Sequence, residues 1–305
     1  MALTSLRDIK RRIRSVENTQ QITKAMEMVS AAKLRRAQGV VTSGRPYDQL
    51  LKAAMRELAS SMESVPHPYF EESEAKKIVL VVVTSDKGLC GAFNSNVVRR
   101  AEAFLRARED CKLILLGKKA YDYFARRRPE DIILKRTDLG ARVDQASARE
   151  ISRSLSDLFL SKQFDEIYLM YTTFISAMRR NIVTERFLPI EREGTRIESQ
   201  PGEPGESGAG EETEGSLRRE FIFEPGAEEM LAQLMPSYAV SRIYMMLAES
   251  FASEHGARMI AMGAATKNAD EMIDRLVLTR NRVRQATITK ELAEIVGCTE
   301  ALKYS

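Results

Sequence analysis

The 305-residue chain has no tryptophan, only two histidines (His67 and His255) and only three cysteines (Cys90, Cys111 and Cys298). Two distant histidines leave almost no material for a His-based metal site or a His-dependent catalytic triad. Three scattered cysteines form neither a CxxC redox pair nor a disulfide framework, which fits a reducing compartment. Aromatics at 7% argue against an extended stacking platform for single-stranded nucleic acid. The longest apolar run, Ile78 to Val83, is of strand length and far short of the roughly 20 residues needed to span a bilayer. The net charge of +4 is mild and does not by itself call for a nucleic-acid partner. The opening residues lack the apolar core of a secretory leader, so no signal peptide is expected.

Proline is missing at both ends. All nine prolines lie between Pro46 and Pro236, so nothing interrupts a helix over residues 1–45 or 237–305. Thr4 or Ser5 can cap the first helix, with Asp8 in its first turn. Leu6, Ile9, Ile13 and Val16 recur at spacings of three and four, and Ile22, Met26 and Val29 continue the pattern after a gap of six. That is a heptad-like seam with one phase shift. Near the other end Ile273, Leu276 and Val283 make one seam, and Ile288, Leu292 and Ile295 a second, displaced in phase. Two such helices are expected to pair as an intramolecular coiled coil. Residues 1–38 carry nine Lys or Arg against three acids, so the outer face is strongly basic.

The middle alternates strand and helix. Ile78–Val83 reads as a strand buried on both faces, and Leu113–Leu116, Asp131–Leu134 and Ile167–Thr173 as further strands, with Asn181–Leu188 at an edge. Helical stretches fall at Val97–Ala107, Lys119–Arg127 and Gln145–Leu160. This order predicts a small α/β domain with a mainly parallel sheet. Residues 198–216 hold six glutamates and two prolines among several glycines, and read as a flexible acidic spacer. The expected division is a helix over 1–60, an α/β domain over 75–195, a disordered acidic loop over 196–217 and a helix over 220–305.

The sharpest local motif is Thr84-Ser85-Asp86-Lys87-Gly88-Leu89-Cys90-Gly91-Ala92-Phe93-Asn94. It follows a buried strand and precedes a helix, where α/β sheets often hold phosphates. Neither G-x-x-x-x-G-K-[ST] nor G-x-G-x-x-G occurs in the chain, and such turns also serve tight packing alone, the reading favoured for this one. Cys90 has no histidine nearby in sequence and reads as a small buried thiol rather than a nucleophile. The acidic pairs Glu71-Glu72, Glu211-Glu212 and Glu228-Glu229 lie in polar stretches and read as solvated faces. The alternatives left open are a nucleic-acid-binding coiled-coil protein and a nucleotide-dependent enzyme using residues 84–94.

Three blocks carry a resemblance. The run from Val16-Glu17-Asn18-Thr19-Gln20 through Ala31-Ala32-Lys33-Leu34-Arg35 closely resembles the start of the gamma subunits of F-type ATP synthase. Ser85-Asp86-Lys87-Gly88-Leu89-Cys90-Gly91 with Asn94 is similar to that family's first strand turn. Arg284-Gln285-Ala286-Thr287-Ile288-Thr289-Lys290-Glu291-Leu292-Ala293-Glu294-Ile295-Val296 is similar to its C-terminal signature. The family pattern continues Gly-Ala where this chain has Cys298 and Thr299. The acidic segment is longer than usual, and the dithiol insert of the chloroplast type is missing.

The resemblance implies a long antiparallel coiled coil of N- and C-terminal helices on a central Rossmann-like α/β domain. It implies a central rotor stalk that turns within a ring of three alpha and three beta subunits, beside the epsilon subunit and on the membrane c ring, coupling ion flow to ATP synthesis or hydrolysis. Catalysis on beta would leave this chain without catalytic residues, metal or cofactor. Carried over by motif, Met26 faces an acidic loop of beta, while Arg284, Gln285, Thr289 and Glu291 hydrogen-bond to the alpha/beta ring. Phe221, Phe223 and Glu224 rest on the c ring. The absence of an organellar leader points to a bacterial protein, peripheral on the cytoplasmic side of the inner membrane.

Overall fold

The computed structural model describes residues 5–61, 67–71, 77–108, 110–139, 143–190 and 226–303. The chain forms two compact units. One combines Met1–Ala31 with Arg258–Ser305, and the other is Ala32–Ala257. The elements in order are α1 (Leu6–Ser61), β1 (Ile78–Val83), α2 (Phe93–Arg106), β2 (Cys111–Leu116), α3 (Lys118–Phe124), β3 (Ile132–Arg136), α4 (Gln145–Leu160), β4 (Glu166–Phe174), β5 (Arg180–Leu188) and α5 (Ala227–Lys303). Short 3-10 turns cover Pro68–Phe70 and Pro129–Asp131. The expectation of a mainly parallel sheet with long terminal helices holds.

In the larger unit the sheet order is β3-β2-β1-β4-β5. The β1–β2, β1–β4 and β2–β3 pairs are parallel, and β4–β5 is an antiparallel hairpin. β1 is central, which is why its Ile-Val-Leu-Val-Val-Val run is buried at every position. Alternate residues serve opposite faces. Val79, Val81, Ile114, Leu116, Ile167 and Leu169 meet α4 together with Met55, Leu58, Leu231, Met235, Ala239 and Ile243 of the long helices. Leu80, Val82, Leu113 and Leu115 meet α2 and α3 through Val97, Ala101, Phe104, Ala120 and Phe124. Each fully buried Leu or Val contributes about 1.5–3 kcal/mol relative to exposure, so each face of the sheet carries its own packed core in a three-layer arrangement.

Several boundaries moved. α2 starts at Phe93, not Val97, because Phe93 itself is buried. β3 starts at Ile132, since Asp131 belongs to the 3-10 turn and binds Lys112 at 2.9 Å and Arg128 at 3.3 Å. Those two cations hold the Asp131 carboxyl below its ordinary range, although burial pulls the other way.

The prolines do not bound the long helices. α1 continues through Pro46 and α5 through Pro236. Each proline removes one backbone donor. Both nevertheless sit on the exposed side of their helix, as do Thr42 and Ala232 four residues earlier, whose carbonyls lose that donor to water. Buried Val41, Asp48, Leu231 and Met235 on the opposite side hold the helices in place. Tertiary packing outweighs a local penalty of roughly 3 kcal/mol.

One feature had no sequence signal. Arg242 of α5 is buried between Glu185 of β5, which accepts a hydrogen bond from it, and Asp48 of α1 at 3.4 Å. Burial would lower the Arg242 pKa, but Glu185 and Asp48 reverse this and raise it. Tyr171 lies alongside, its hydroxyl pushed well up by burial and by Glu185. Lys52 reaches Asp48 at 2.7 Å from the half-exposed side. Arg242→Ala would leave two carboxylates facing each other with only Lys52 near one of them. Chemical denaturation is expected to register a loss of about 3–5 kcal/mol. A loss under 1 kcal/mol would mean that Lys52 suffices.

Candidate functional surface

The smaller unit is the paired ends of α1 and α5. Ser5 begins α1 as expected: its hydroxyl accepts from the Asp8 amide at 3.2 Å and donates to the Asp8 carboxylate at 2.9 Å. Among the buried or half-buried positions on α1, Leu6, Ile9, Ile13, Val16, Gln20, Thr23, Glu27 and Ser30 follow an alternation of three and four, with Asp8 and Met26 half-buried beside them. On α5 Met262, Thr266, Ala269, Ile273, Leu276, Arg280 and Val283 continue the same spacing, with Gly263, Ala265, Val277 and Asn281 half-buried beside them. Gln20 donates to Asp270, the Thr23 and Thr266 hydroxyls are 2.9 Å apart, and Gly263 lies under the Glu27 carboxylate. Ascending numbers on α1 meet descending numbers on α5, so the pair is antiparallel.

The expected phase shift is absent. The seam stays in register by passing through polar residues rather than jumping to Ile22, Met26 and Val29. Ile22 and Val29 are 61% and 57% exposed, and Met28 is 60% exposed. Met26 is half-buried, at the edge of the seam, and its carbonyl accepts the Ser30 hydroxyl at 2.7 Å. Hydrogen bonds across the pair join the Gln20 and Thr23 layers to Asp270 and Thr266, while Ile22, Met28 and Val29 face outward.

The second expected seam, at Ile288, Leu292 and Ile295, has no partner helix among the described residues. All three are about half exposed or more, and every residue from Arg284 to Thr299 is exposed. Arg284, Gln285, Thr289 and Glu291 therefore stand together on one uncovered stretch of α5, where the Thr289 hydroxyl donates to the Gln285 carbonyl at 3.0 Å. Glu27 pairs with Gly263, so Met26 sits about 20 residues, or roughly 30 Å, along the pair from Arg284. The sites carried over by resemblance thus form two zones of one surface rather than one cluster. Phe221, Phe223 and Glu224, like the acidic segment 198–216, lie outside the described residues.

The 84–94 turn does structural work in the larger unit. The Asp86 carboxylate accepts the Lys118 amide at 2.8 Å and the Leu139 amide at 3.1 Å. The Ser85 carbonyl takes the Lys119 amide at 3.1 Å, and the Thr84 hydroxyl takes the Ala120 amide at 2.9 Å. The free donors at the start of α3 are all consumed. Asn94 closes the turn by accepting from the Ser85 amide at 3.0 Å and donating to Cys90 Sγ at 3.1 Å. The crevice beyond the strand ends, where such sheets hold ligands, is filled by α5. Ala257 packs on Cys90 and Phe93, and Ser253 donates to the Thr172 carbonyl at 3.3 Å. Gly256 passes the Ala177 carbonyl so closely that a Cβ would sit 3.4 Å from it.

Cys90 is buried without a histidine beside it: His67 accepts the Tyr69 amide at 3.2 Å, and His255 stacks edge-on against Phe251. Among the described residues no group of three His, Cys, Asp or Glu is placed to hold a metal ion, and no helix is long and apolar enough to cross a membrane.

The family described as ATP synthase matches residues 5–302. The ATP synthase gamma chain of Pelotomaculum thermopropionicum is 43% identical over 302 residues, spanning 99% of this chain and all of the relative. The chain belongs to the ATP synthase gamma family. The Moorella thermoacetica gamma chain is 42% identical over the same span of 302 residues, again covering 99% of this chain and 100% of its own. A chain in the cryo-EM structure of Euglena gracilis mitochondrial ATP synthase (OSCP/F1/c-ring, rotational state 3) shares the fold at a TM-score of 0.67 and 19% identity, covering 97% of this gamma-family chain and 94% of its own. One from the central stalk and c ring of the Tetrahymena thermophila mitochondrial enzyme gives 0.58 at 24% identity, over 80% and 99%. A nucleic-acid-binding coiled coil finds no support in these likenesses.

The turn makes a paired prediction. Gly117 has φ +106°, and an added Cβ would lie 2.1 Å from the Thr84 carbonyl oxygen, so Gly117→Ala is expected to lower the melting temperature sharply. Gly39, inside α1 with open space around it, is expected to gain about 0.4–1 kcal/mol on substitution by Ala. Thermal melts of both variants, read against the parent chain, check the pair.

Proposed function

We propose that this chain is the central rotor of a bacterial ATP synthase, transmitting twist between ion flow and the nucleotide sites of a surrounding ring without itself making or breaking bonds. The carrying observation is the outer surface of the paired helices, where Ile22, Met28 and Val29 face out and α5 stands uncovered from Arg284 onward. Apolar side chains left out of a seam that has room for them indicate a surface covered by something else. A ring of three alpha and three beta subunits supplies that cover, with Met26 against an acidic loop of beta and Arg284, Gln285, Thr289 and Glu291 against the upper ring. The epsilon subunit and the c ring meet the sheet-bearing part, with Phe221, Phe223 and Glu224 on the c ring. Functionally the chain then divides into the helix of residues 1–60, the α/β domain of 75–195, the acidic spacer of 196–217 and the helix of 220–305. It works at the cytoplasmic face of the inner membrane.

The chemistry of the surface suits rotation. Lys10, Arg11, Arg12, Arg14, Arg282 and Arg284 are all exposed. Exposed ion pairs are worth about 0–1 kcal/mol each, so contacts to acidic loops are exchanged at little cost as the helices turn. The polar seam layers resist sliding of one helix along the other, because a slip of one turn parts Asp270 from Gln20 and Thr266 from Thr23. In this reading the site residues serve as contacts to the ring, and bond chemistry falls to the ring.

Two measurements bear on this. Met26→Lys places a cation at a moving contact and is expected to reduce the ions pumped per ATP hydrolysed while the complex still assembles. Unchanged coupling would remove Met26 from the contact. Cys298 is the one exposed cysteine among the three, while burial pushes the Cys111 thiol up to about 12. In the isolated chain at pH 7.5 a maleimide is expected to label Cys298 and spare Cys90 and Cys111. In the assembled complex Cys298 is expected to be at least tenfold slower, and equal rates would exclude an enclosed tip.

A further inference from the structure

On the α2 face of the β4–β5 hairpin lies a groove of about 410 Å³ lined by Arg99 and Arg100 of α2 and Arg180 of β5, together with Asn96, Asn181 and Thr172. No acidic residue lines it. Among the described residues none of the three arginines has an ion pair. Two of its lining residues also carry an unsatisfied buried group. The Thr172 hydroxyl, in a residue 2% exposed, and one terminal nitrogen of Arg180, Nη1, are buried without a hydrogen-bond partner. Buried polar atoms are rarely left so, because each costs on the order of 1–3 kcal/mol. Neighbouring guanidinium groups also repel one another unless an anion lies between them.

The cross-strand register explains the convergence. Thr172 pairs with Ile182 and Phe174 with Arg180, which puts Thr172 and Arg180 on the same side of the hairpin, beneath α2. Asn96, Arg99, Arg100 and Ala103 follow at helical spacing on the α2 side turned toward it. A groove of this volume lies in the range of small-ligand sites. Planar guanidinium forks match the oxygens of a phosphoryl group, and threonine and asparagine supply the remaining hydrogen bonds.

We infer that this groove, which belongs to the sheet-bearing unit and is no part of the paired-helix surface, binds a phosphoryl group, carried either by a small phosphate compound or by an anionic lipid headgroup. The ligand's oxygens meet Arg99, Arg100 and Arg180, and its arrival gives the Thr172 hydroxyl a partner.

The probe is inorganic pyrophosphate, titrated calorimetrically into the full chain at 0.15 M salt. Saturable one-to-one binding is expected, weakened about tenfold or more by Arg180→Gln or Arg99→Gln, as loss of one charge-assisted hydrogen bond implies. Arg11→Gln, on the basic end of α1, is expected to leave it unchanged. Equal weakening by Arg11→Gln would reduce the effect to general electrostatics and overturn the site. Thr172→Val is expected to raise the melting temperature of the ligand-free chain while weakening pyrophosphate binding, and a lowered melting temperature would mean that the hydroxyl already has a partner. In a second arm the chain is sedimented with vesicles of phosphatidylcholine alone or with phosphatidylglycerol added. Binding to the anionic vesicles that pyrophosphate competes away and Arg180→Gln abolishes assigns a lipid headgroup. Pyrophosphate binding without vesicle binding assigns a free phosphate compound, and failure of both probes overturns the proposal.

Discussion

The antiparallel pairing of α1 with α5 is the constraint on which the rest of the structure depends. Each compact unit uses it differently. In the unit formed by the chain ends, only the partner helix covers the seam among the described residues, and the pairing is held by a mixture of apolar contacts and polar layers. In the sheet-bearing unit the same two helices lie on one face of the sheet and share its core through Met55, Leu58, Met235 and Ile243. There Arg242 locks α1, α5 and β5 together with a charge cluster that hydrophobic packing alone would not orient. A buried cluster of this kind is weak evidence for added stability but good evidence for a specified arrangement, because only one relative placement of Asp48, Glu185 and Arg242 satisfies all three.

The sheet follows the strand order of a ligand-binding fold, yet its crevice is used for packing. Three observations converge on this. The amide donors at the start of α3 are taken by Thr84, Ser85 and Asp86, α5 occupies the space beyond β1 and β4, and Gly117 is required where the strand exits meet. A motif in the right place for phosphate chemistry has become a clasp that fastens the sheet to the long C-terminal helix. For a part that transmits torque this is a sensible use, since a ligand-sized void at the junction would yield under load.

Much of this was legible in the sequence, and the failures have identifiable causes. The β1 run and the α4 periodicity gave correct elements because burial on both faces or on one stripe writes itself directly into the residue pattern. The first half of the α1 seam was legible for the same reason. It became illegible at Gln20, Thr23, Glu27 and Ser30, where an apolarity scan looks for the wrong residue types and is drawn to Ile22 and Val29 on the outside. The helices expected over 1–60 and 220–305 run through Pro46 and Pro236 because a proline's penalty depends on which side of a helix it occupies, and both face water. The Arg242 cluster joins residues 194 positions apart and leaves no local trace. The surface zones around Met26 and Arg284 came from resemblance, since exposed side chains carry no burial pattern to read.

The misread seam is itself informative about what the paired helices are for. An apolar residue at position 20 or 23 would bury more surface and stabilise the pair, and apolar residues of suitable size stand only two positions away at Ile22 and one position away at Met28 from Glu27. Stability alone would place them inward. Instead the seam accepts hydrogen bonds worth about 0.5–1.5 kcal/mol each in place of burial worth more, and the apolar side chains are kept for the outside. That exchange makes sense only if two other demands outweigh stability of the isolated pair: a register that cannot slip, which the Gln20–Asp270 and Thr23–Thr266 layers provide, and an outer surface that is buried in the working state.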